Sequence, residues 1–440
     1  MRLNPNNPIP LRAFFLLAGA ALLRVGAPAQ TPQRLTLQEA DAIALKNHPQ
    51  IQAAQNELNA AAEQIIINRA PYYPAFNGEI TGSQGNNLSR LGAGDISASR
   101  LFDRFGQGAV LNQLITDSGR TPSLVASARL QSRAAEQNLS AARYDVILAV
   151  HRAYFGVLQA QAVVKVAQQT VDARQLLADQ VTELARNNLK SQLDVSEAEV
   201  TVSQAKLILL DAQEAVTAAY AELARALGSD QSVNYQLAEE QLPPGPPQNV
   251  EDLVAQAMRN RPELASLQYS RESAQKFYEA ERDLKRPTVS VVAVGGFIPF
   301  INTPGNAPIP KEYEAVAANV NIPVFNGHLF SAREEAARQR ALEAEQRIRD
   351  QQERISRDVR VAYSSAVAAF QRIDVTAQFL RQAALALDLA QGRYNLGLSS
   401  IVELTQAQLN LTEAEIQNVG AKYGYEAQYA ALEYAIGVLH

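Results

Sequence analysis

Residues 146–171 read VILAVHRAYFGVLQAQAVVKVAQQTV, and small apolar residues recur along them at alternating spacings of four and three, at Val146, Val150, Ala153, Val157, Ala160, Val164, Ala167 and Val171. A sustained heptad stripe of this kind is the seam of a coiled coil. From about 120 to 186 the chain has no Pro beyond Pro122 and no Gly except Gly156. We predict one helix of roughly 100 Å here, at 1.5 Å per residue. A rod of this length favours a tube or a stalk over a compact globule.

The same plan occurs twice in the chain. A shift of 209 residues maps the seam onto Ile355, Val359, Ala362, Ala366, Ala369, Ile373, Thr376 and Leu380. Identical residues at the same offset include Ala153 and Ala362, Tyr154 and Tyr363, Leu189 and Leu398, and Gly228 and Gly437. An earlier Asn-x-Pro motif, 47–49, returns at 260–262 with an offset of 213. Duplication of long helical units predicts a pseudo-symmetric shape, such as a ring, and not a catalytic globule.

Composition argues against enzymes and nucleic-acid binders. The 440 residues include no Cys, so a disulfide framework, a thiolate nucleophile and a Cys-ligated metal are all excluded. A formal net charge of −5 gives no reason to expect a basic nucleic-acid surface. The four His (His48, His151, His328 and His440) lack neighbours at metal-ligand spacing. Phosphate-binding loops, nucleophile elbows and zincin motifs are absent as well. We therefore expect no enzyme activity, no cofactor and no metal site.

The N-terminus has the pattern of a secretory signal. Arg2 and Arg12 supply a positively charged region before a short apolar run at 13–23, and Ala27-Pro28-Ala29 offers a small-residue cleavage site. The run is too short for a membrane span, which takes ~20 residues. We predict a signal peptide over 1–29, with an uncleaved anchor as the alternative. Since we find no other apolar run long enough to span, an exported chain would cross a membrane only by strands.

One segment between the helices alternates strictly. In 76–83, Asn77, Glu79, Thr81 and Ser83 share one face, while Phe76 and Ile80 lie with two Gly on the other. This is strand periodicity. Polar residues on one face and apolar residues on the other suit a strand of an outer-membrane barrel.

Three further strands are predicted with weaker alternation, at 109–116, 287–294 and 313–322. Loops rich in Gly, Asn, Ser or Pro are predicted at 84–108 and 298–312. Aromatic residues near these strands fit girdles at bilayer interfaces, and ordinary strand propensity explains them equally well. Four strands cannot close a membrane barrel, since the smallest have ~8, so the strands must be shared between subunits of a homo-oligomer.

Each half is thus predicted as a helix, two strands, a long helix, a tight polar turn and a returning helix. The returning helices are expected at about 192–227 and 401–436. The first structural repeat spans 30–228 and the second 249–440. A semi-rigid Pro-rich linker, 229–248, joins them.

This arrangement resembles the outer-membrane efflux protein family, the TolC-like channels, over roughly 36–437. The segments that carry the resemblance are Thr36 to Ala40, Asn47 to Pro49, Asp117 to Arg120, Phe325 to Gly327, Leu396 to Leu398 and Ile401 to Leu404. The resemblance implies a mainly α fold with a small β part. An internally duplicated long-helix α-barrel would join four strands per chain that contribute to a twelve-stranded trimeric outer-membrane β-barrel.

The resemblance also implies a function. Such channels are passive homotrimeric exit ducts of tripartite efflux or type I secretion systems. They dock on a periplasmic adaptor protein, which couples them to an inner-membrane pump of the RND, ABC or MFS type. The chain would contact lipid in the outer membrane of a Gram-negative-type bacterium and extend into the periplasm. The alternative is a periplasmic coiled-coil scaffold without a pore, which would have no use for the alternating strands.

Two sets of site residues follow from the resemblance. Adaptor docking falls on the hairpin tips, at Asn187, Asn188, Leu189 and Lys190 and at Leu396, Gly397, Leu398 and Ser399. Asn188 stands where the family often has Gly, and helix capping alone is the alternative role for the Asn and Gly residues.

The periplasmic gate falls on Asp194, Tyr394 and Glu403, with the Tyr bonding across to the first-half acid. Glu403 carboxylates from three subunits would repel one another and favour cations at the narrowest point. Gln406 replaces a second acid of the best-known member, so weaker cation selectivity is expected. The alternative for Glu403 is a helix-start acid stabilised by the helix dipole.

Overall fold

The structure is a computed structural model that describes residues 34–84, 103–229, 235–301 and 310–439. The predicted signal peptide lies outside these residues, as does most of the first predicted loop and of the second.

The elements of the two halves follow the same order. The first half contains β1 (Arg34–Leu35), α1 (Leu37–Asn47), α2 (Pro49–Arg69), β2 (Ala75–Ser83), β3 (Arg104–Thr116), α3 (Arg120–Arg186) and α4 (Gln192–Ala226). The second half contains β4 (Gln236–Leu237), α5 (Val250–Asn260), α6 (Pro262–Asp283), β5 (Thr288–Ile301), β6 (Glu312–Asn321), α7 (Leu329–Asn395) and α8 (Ile401–Ile436). Helices α3 and α7 are each 67 residues long, which confirms the predicted rod and its repeat.

The predicted strands are present, but two of them are longer than expected. β3 begins at Arg104, inside the predicted loop 84–108, and β5 continues to Ile301, inside the predicted loop 298–312. A high content of Gly, Asn and Ser in the first segment and of Pro in the second suggested loops. The segments are strands because β3 lies between two partners, and Arg104 pairs with Ser83 on one side and Ile301 on the other.

A short parallel pair was missed by the sequence analysis. β1 and β4 pair over two residues each, Arg34 with Gln236 and Leu35 with Leu237. Two residues are too few to show an alternating pattern. This pairing ties the start of the described chain to the segment that joins the two halves.

The long helices pack through the predicted seam. Val146, Val150, Val157 and Ala167 of α3 are each at most 1 % exposed. Helix α3 packs against α4 on one side and α8 on the other, and α8 packs against α7. The order across the helical layer is therefore α4, α3, α8, α7, so that α4 and α7 form its two edges.

One helix is apolar enough to be considered as a membrane span. Within the described ranges, only α3 contains an 18-residue window with the required length and composition, and 56 % of that window is buried inside the chain. This corrects the expectation that no apolar run after the signal is long enough. Since much of the window packs inside the chain, α3 has the character of a core helix.

The repeated Asn-x-Pro and Gly motifs meet in space. His48 is extended between α1 and α2, and Gly228 follows α4 with a φ of +70°. A β-carbon on Gly228 would lie 2.8 Å from the His48 Cα. In the second half Gly437 has a φ of +73°, and a β-carbon there would lie 3.0 Å from the Asn260 Cβ. Each glycine therefore allows the end of a returning helix to touch the break between two short helices.

The repeated tyrosines have related roles. The buried Tyr154 hydroxyl lies 2.7 Å from the Ala238 carbonyl oxygen and 3.0 Å from that of Leu35, so its proton is shared between the β1 and β4 segments. Burial raises the pKa of Tyr154 to about 12. In the second half Tyr363 donates to the Gln248 carbonyl at 3.4 Å. Both tyrosines thus attach a long helix to the backbone of the segment between the repeats.

The contact at Gly228 can be tested by substitution. Gly228→Ala places a β-carbon at positive φ, which costs ~1–2 kcal/mol, and adds a clash with the His48 backbone. We expect the thermal unfolding midpoint in detergent to fall. The matched control is Gly156→Ala within α3, where an added β-carbon meets nothing within 4 Å. That change should leave the midpoint unchanged or raise it, by about 0.5–1 kcal/mol in stability. Equal midpoints for the two variants would contradict this account.

Candidate gate and docking site at the helical hairpin tips

The first tip, between α3 and α4, is a Schellman turn. Asn188 adopts a φ of +58°, and its N–H donates to the Ala185 carbonyl at 2.9 Å. The Leu189 N–H donates to the Leu184 carbonyl at 2.9 Å. The Asn187 side-chain amide donates to the Glu183 carbonyl at 2.8 Å. These bonds satisfy carbonyls that the end of a helix would otherwise leave free.

The second tip, between α7 and α8, repeats the same turn. Gly397 has a φ of +73°, and its N–H donates to the Tyr394 carbonyl at 3.0 Å. The Leu398 N–H donates to the Arg393 carbonyl at 2.8 Å. Asn188 therefore has the backbone role in the first tip that Gly397 has in the second, because Asn tolerates left-handed angles better than most residues with a β-carbon. The substitution of Asn for Gly preserves the turn.

Both tips present apolar side chains to solvent. Leu189, Leu396 and Leu398 are 69 %, 75 % and 66 % exposed. Exposed apolar residues that lie together mark interaction surfaces. Ser399 differs, because its hydroxyl is buried without a hydrogen-bond partner in the described structure.

A shared core joins the two hairpins just above the tips. It includes Leu177 and Val181 of α3, Val195 of α4 and Leu404 of α8, together with Tyr394 of α7. All five residues are at most 6 % exposed. The two tips are therefore parts of one packed end and do not project separately.

Asp194 caps α4 in a capping box. The Ser191 hydroxyl donates to the Asp194 carboxylate at 2.7 Å, and the Ser191 N–H donates to it at 2.9 Å. The Asp194 N–H in turn donates to the Ser191 hydroxyl oxygen at 3.2 Å. These bonds to Ser191 hold the pKa of Asp194 below its usual value. Its carboxylate is thus ionised and already engaged within its own hairpin.

Tyr394 contacts the first hairpin through Lys190. The Tyr394 side chain is 4 % exposed, and the Lys190 ammonium lies 3.9 Å from its ring centroid. This is a cation–π contact. Burial, and secondarily the charge of Asp194, raises the pKa of Tyr394. The Tyr394 hydroxyl has no hydrogen-bond partner among the described residues, so the direct bond to Asp194 that the resemblance implies is not formed here.

Glu403 has a basic partner that the sequence analysis missed. Its carboxylate lies 3.1 Å from Arg393 Nε, and both side chains are about half exposed. Its N–H lies 3.4 Å from the Ser400 hydroxyl oxygen at the start of α8. An exposed ion pair of this kind contributes ~0–1 kcal/mol to stability. Its larger effect is on local charge, because Arg393 stands beside the acid that the sequence analysis assigned to the gate. The sequence feature that could have indicated this ion pair is Arg393 itself, a basic residue in the last turn of α7 next to Tyr394.

Acidic and histidine residues elsewhere form no cluster that could hold a metal within the described parts of the chain. His151 is buried and pairs with Asp41 at 3.0 Å, which joins α3 to α1. His48 accepts a hydrogen bond from the Gln50 N–H at 3.2 Å and caps α2. Both histidines therefore have structural contacts.

The four-stranded sheet has an exposed apolar face. Its strand order is β2, β3, β5, β6, and all three pairings are antiparallel. Phe76 and Ile80 of β2 are 71 % and 74 % exposed, and Val316 of β6 is 77 % exposed. Among the residues that the structure describes, strands β2 and β6 each have a partner on one side only. A long open edge beside exposed apolar residues requires a further partner or a lipid environment.

The capping box predicts a pH dependence. A lowered folded-state pKa means that ionised Asp194 stabilises the fold above its ordinary value, near 4, and that this contribution is lost as pH falls through the lowered value. We expect Asp194→Asn to lower the unfolding midpoint at pH 7, and we expect its difference from the parent chain to shrink as the pH falls through the lowered pKa. Ser191→Ala should lower it at pH 7 by about 1 kcal/mol in stability. A deficit for Asp194→Asn that stays constant from pH 7 to pH 2 would contradict this role.

Comparison with known proteins supports the same reading of the fold. Residues 42–229 and 253–438 match the family described as Outer membrane efflux protein. Protein CyaE of Bordetella pertussis is 26 % identical over 415 residues, which cover 89 % of this chain and 82 % of that protein. Outer membrane efflux protein BepC of Brucella suis is 24 % identical over 426 residues, which cover 96 % and 88 % of the two chains.

A solved structure shares the fold. The crystal structure of the outer membrane protein VceC from Vibrio cholerae superposes with a TM-score of 0.76 at 20 % identity, covering 91 % of this chain and 96 % of that one. The predicted combination of long helices and barrel strands is confirmed by this likeness. The family consists of transport channels and is not an enzyme family. The chain belongs to the outer membrane efflux protein family and is a channel protein of the outer membrane that extends into the periplasm.

Proposed function

We propose that this chain forms a homotrimeric exit duct that passively exports substrates delivered by an inner-membrane pump and a periplasmic adaptor. The observation that carries the proposal is that both the sheet and the helical layer end in edges that one chain leaves open. The two sheet edges, β2 and β6, could pair through their backbone groups, and the two helical edges, α4 and α7, both present exposed apolar side chains. A closed ring of copies would cover both pairs at once.

The sheet edges support a shared barrel. One chain supplies four antiparallel strands with β2 at one edge and β6 at the other. A membrane requires all backbone groups to be paired, and the smallest closed barrels have ~8 strands. In a ring of three copies, β2 of each chain would pair with β6 of the next chain, which gives three such junctions. The result is a twelve-stranded barrel with Phe76, Ile80 and Val316 on its lipid face.

The helical edges support the same assembly. On α4, Leu193, Val200 and Leu207 are 69 %, 50 % and 61 % exposed and lie seven residues apart. On α7, Val361, Val375 and Leu389 are 59 %, 63 % and 60 % exposed and lie fourteen residues apart. Residues at multiples of seven share one side of a helix in a coiled coil. The α4 stripe of one copy would therefore pack against the α7 stripe of the next.

The assembly is tested by the mass of the detergent-extracted chain, corrected for bound detergent. We expect three copies. Leu207→Lys puts a charge in the α4 stripe and should yield smaller species, because the charge would be buried between copies. Gln213→Lys adds the same charge to the same helix away from the stripe and should remain trimeric. A parent chain that is monomeric and stable in buffer without detergent would exclude the duct.

The partners follow from the relatives and the tips. BepC is named as an efflux protein, and a further relative, AprF of Pseudomonas aeruginosa, is named as an alkaline protease secretion protein. Efflux and type I secretion both require a pump and an adaptor to deliver substrate. The adaptor would dock on the exposed Leu189, Leu396 and Leu398 and on the half-buried Lys190. Asn187, Asn188, Gly397 and Ser399 would shape the surface around them.

Membrane insertion distinguishes the duct from a scaffold without a pore. Ile80→Lys places a charge on the proposed lipid face, which costs ~2–4 kcal/mol near the bilayer midplane. We expect less of this variant in the outer-membrane fraction than of the parent chain. Thr81→Lys, one residue along on the opposite face, should insert normally because it would face water in the lumen. Normal insertion of both variants would contradict the barrel.

The gate is tested by conductance in a planar bilayer. We propose that Asp194, Tyr394 and Glu403 lie at the narrow periplasmic end, with Glu403 facing the three-fold axis beside Arg393. Glu403→Ala should raise the leak conductance and lower the preference for cations. Glu335→Ala removes an acid near the opposite end of α7 and should change neither. Unchanged conductance and selectivity in Glu403→Ala would remove this residue from the gate.

A further inference from the structure

A cavity of about 350 Å³ lies between the two hairpins, within a single chain. Its wall includes Thr170, Arg174, Leu387, Gln408, Thr412 and Glu415, from helices α3, α7 and α8. Arg174 is twelve residues before the end of α3, so the cavity lies roughly 18 Å above the tips. Its volume is within the range of small-molecule sites, ~300–1,000 Å³.

Arg174 occupies a position where the coiled coil has no need of a charge. The seam of α3 continues from Val171 through 174 to Ala178 and Val181 with the same spacings of three and four. At this position of the second repeat, 209 residues later, stands Ala383, which is 5 % exposed. The duplicated fold therefore forms its seam with a methyl group here, and the guanidinium of Arg174 requires another explanation.

The Arg174 guanidinium is buried and only partly satisfied. The residue is 1 % exposed, and Nη1 donates to the Thr201 carbonyl at 3.1 Å. Nε and Nη2 are buried and have no hydrogen-bond partner in the part of the chain that the structure describes. Across the described ranges no carboxylate forms an ion pair with Arg174, and burial lowers the pKa of its guanidinium. An arginine side chain nevertheless keeps its charge. A buried cation without a counter-charge is strongly unfavourable unless something binds to it.

Two other arginines of this chain bind carboxylates through the atoms Nε and Nη2. Arg333 places Nε and Nη2 at 2.6 and 3.1 Å from the two oxygens of Glu281. Arg338 places the same two atoms at 2.9 Å from the two oxygens of Glu335. This fork matches a carboxylate in a bidentate manner. In Arg174 the same pair of donors is the one without a partner.

We propose that the cavity is a binding site for a small organic carboxylate, whose carboxylate group pairs with Nε and Nη2 of Arg174. The rest of the wall fits an organic body. Leu387 and Leu411 supply apolar surface, and the Gln408 side-chain oxygen is buried without a partner and can accept a hydrogen bond from the ligand. A bare inorganic anion would leave the apolar surface and the Gln408 acceptor unused.

Glu415 is the acidic group in the same wall. Burial raises the pKa of Glu415, so its carboxyl group takes up a proton more readily than a solvent-exposed one. A ligand in the cavity would connect α3 of the first repeat to α8 of the second, close above the tips. The site lies within one chain and does not depend on the channel proposal.

Equilibrium dialysis of the full mature chain in detergent tests the proposal, with empty micelles as the blank. The probes are radiolabelled acetate, benzoate and 4-hydroxybenzoate, whose hydroxyl group can donate to Gln408. We expect saturable binding of at least one probe at one site per chain. Arg174→Lys keeps the charge but loses the fork, and Ala173→Trp fills the cavity from an exposed position without altering Arg174. Both variants should bind at least tenfold more weakly. Arg338→Lys, whose fork is already occupied by Glu335, should bind as the parent chain does.

A second measurement, the unfolding midpoint, distinguishes a loss of binding from misfolding of a variant. The bound probe should raise the unfolding midpoint of the parent chain and of Arg338→Lys, but not that of Arg174→Lys or Ala173→Trp. Benzamide, which has the shape of benzoate without its charge, should bind at least tenfold more weakly than benzoate. Absence of saturable binding for all three acids, or equal binding to the parent chain and Arg174→Lys, would overturn the proposal.

Discussion

Close packing of the long helices along a seam of Ala and Val is the interaction on which the rest of this structure depends. A helix of 67 residues such as α3 gains most of its stability from packing, and it buries apolar residues on more than one side, the seam residues among them. Small seam residues let α3 approach α4 on one side and α8 on the other. This packing sets the order of the helical layer and brings the two tips into one core, where Tyr394 lies beneath Lys190.

The second constraint is that one chain cannot complete either of its layers. The sheet ends at β2 and β6, and the helical layer ends at α4 and α7, each with exposed apolar residues. Backbone groups in a bilayer must be paired, and exposed apolar stripes in water must be covered. Both requirements support the proposed ring of copies, because β2 and α4 belong to the first repeat, whereas β6 and α7 belong to the second.

The two tips show that the repeats share their backbone turns but differ in the partners of their side chains. Asn188 and Gly397 form the same turn with corresponding hydrogen bonds, so the backbone is repeated although the residue is not. Side chains differ more. Asp194 is engaged by Ser191 in a capping box, while Glu403 is paired with Arg393. A similar divergence places Arg174 in a seam position where the second repeat has Ala383. Corresponding backbone positions thus carry side chains with different partners or charges in the two halves.

The sequence by itself determined the duplication, the two long helices, the tight turns and the existence of four strands, because these depend on local periodicity and on residues such as Gly397 with distinctive backbone angles. Strand ends were misjudged at Arg104 and Ile301, since pairing with neighbours and not local composition decided them. Only the tertiary structure showed that Arg393 meets Glu403, that Lys190 covers Tyr394 and that the Arg174 fork is unpartnered. Those facts depend on side chains from separate helices, whose distances no sequence pattern records.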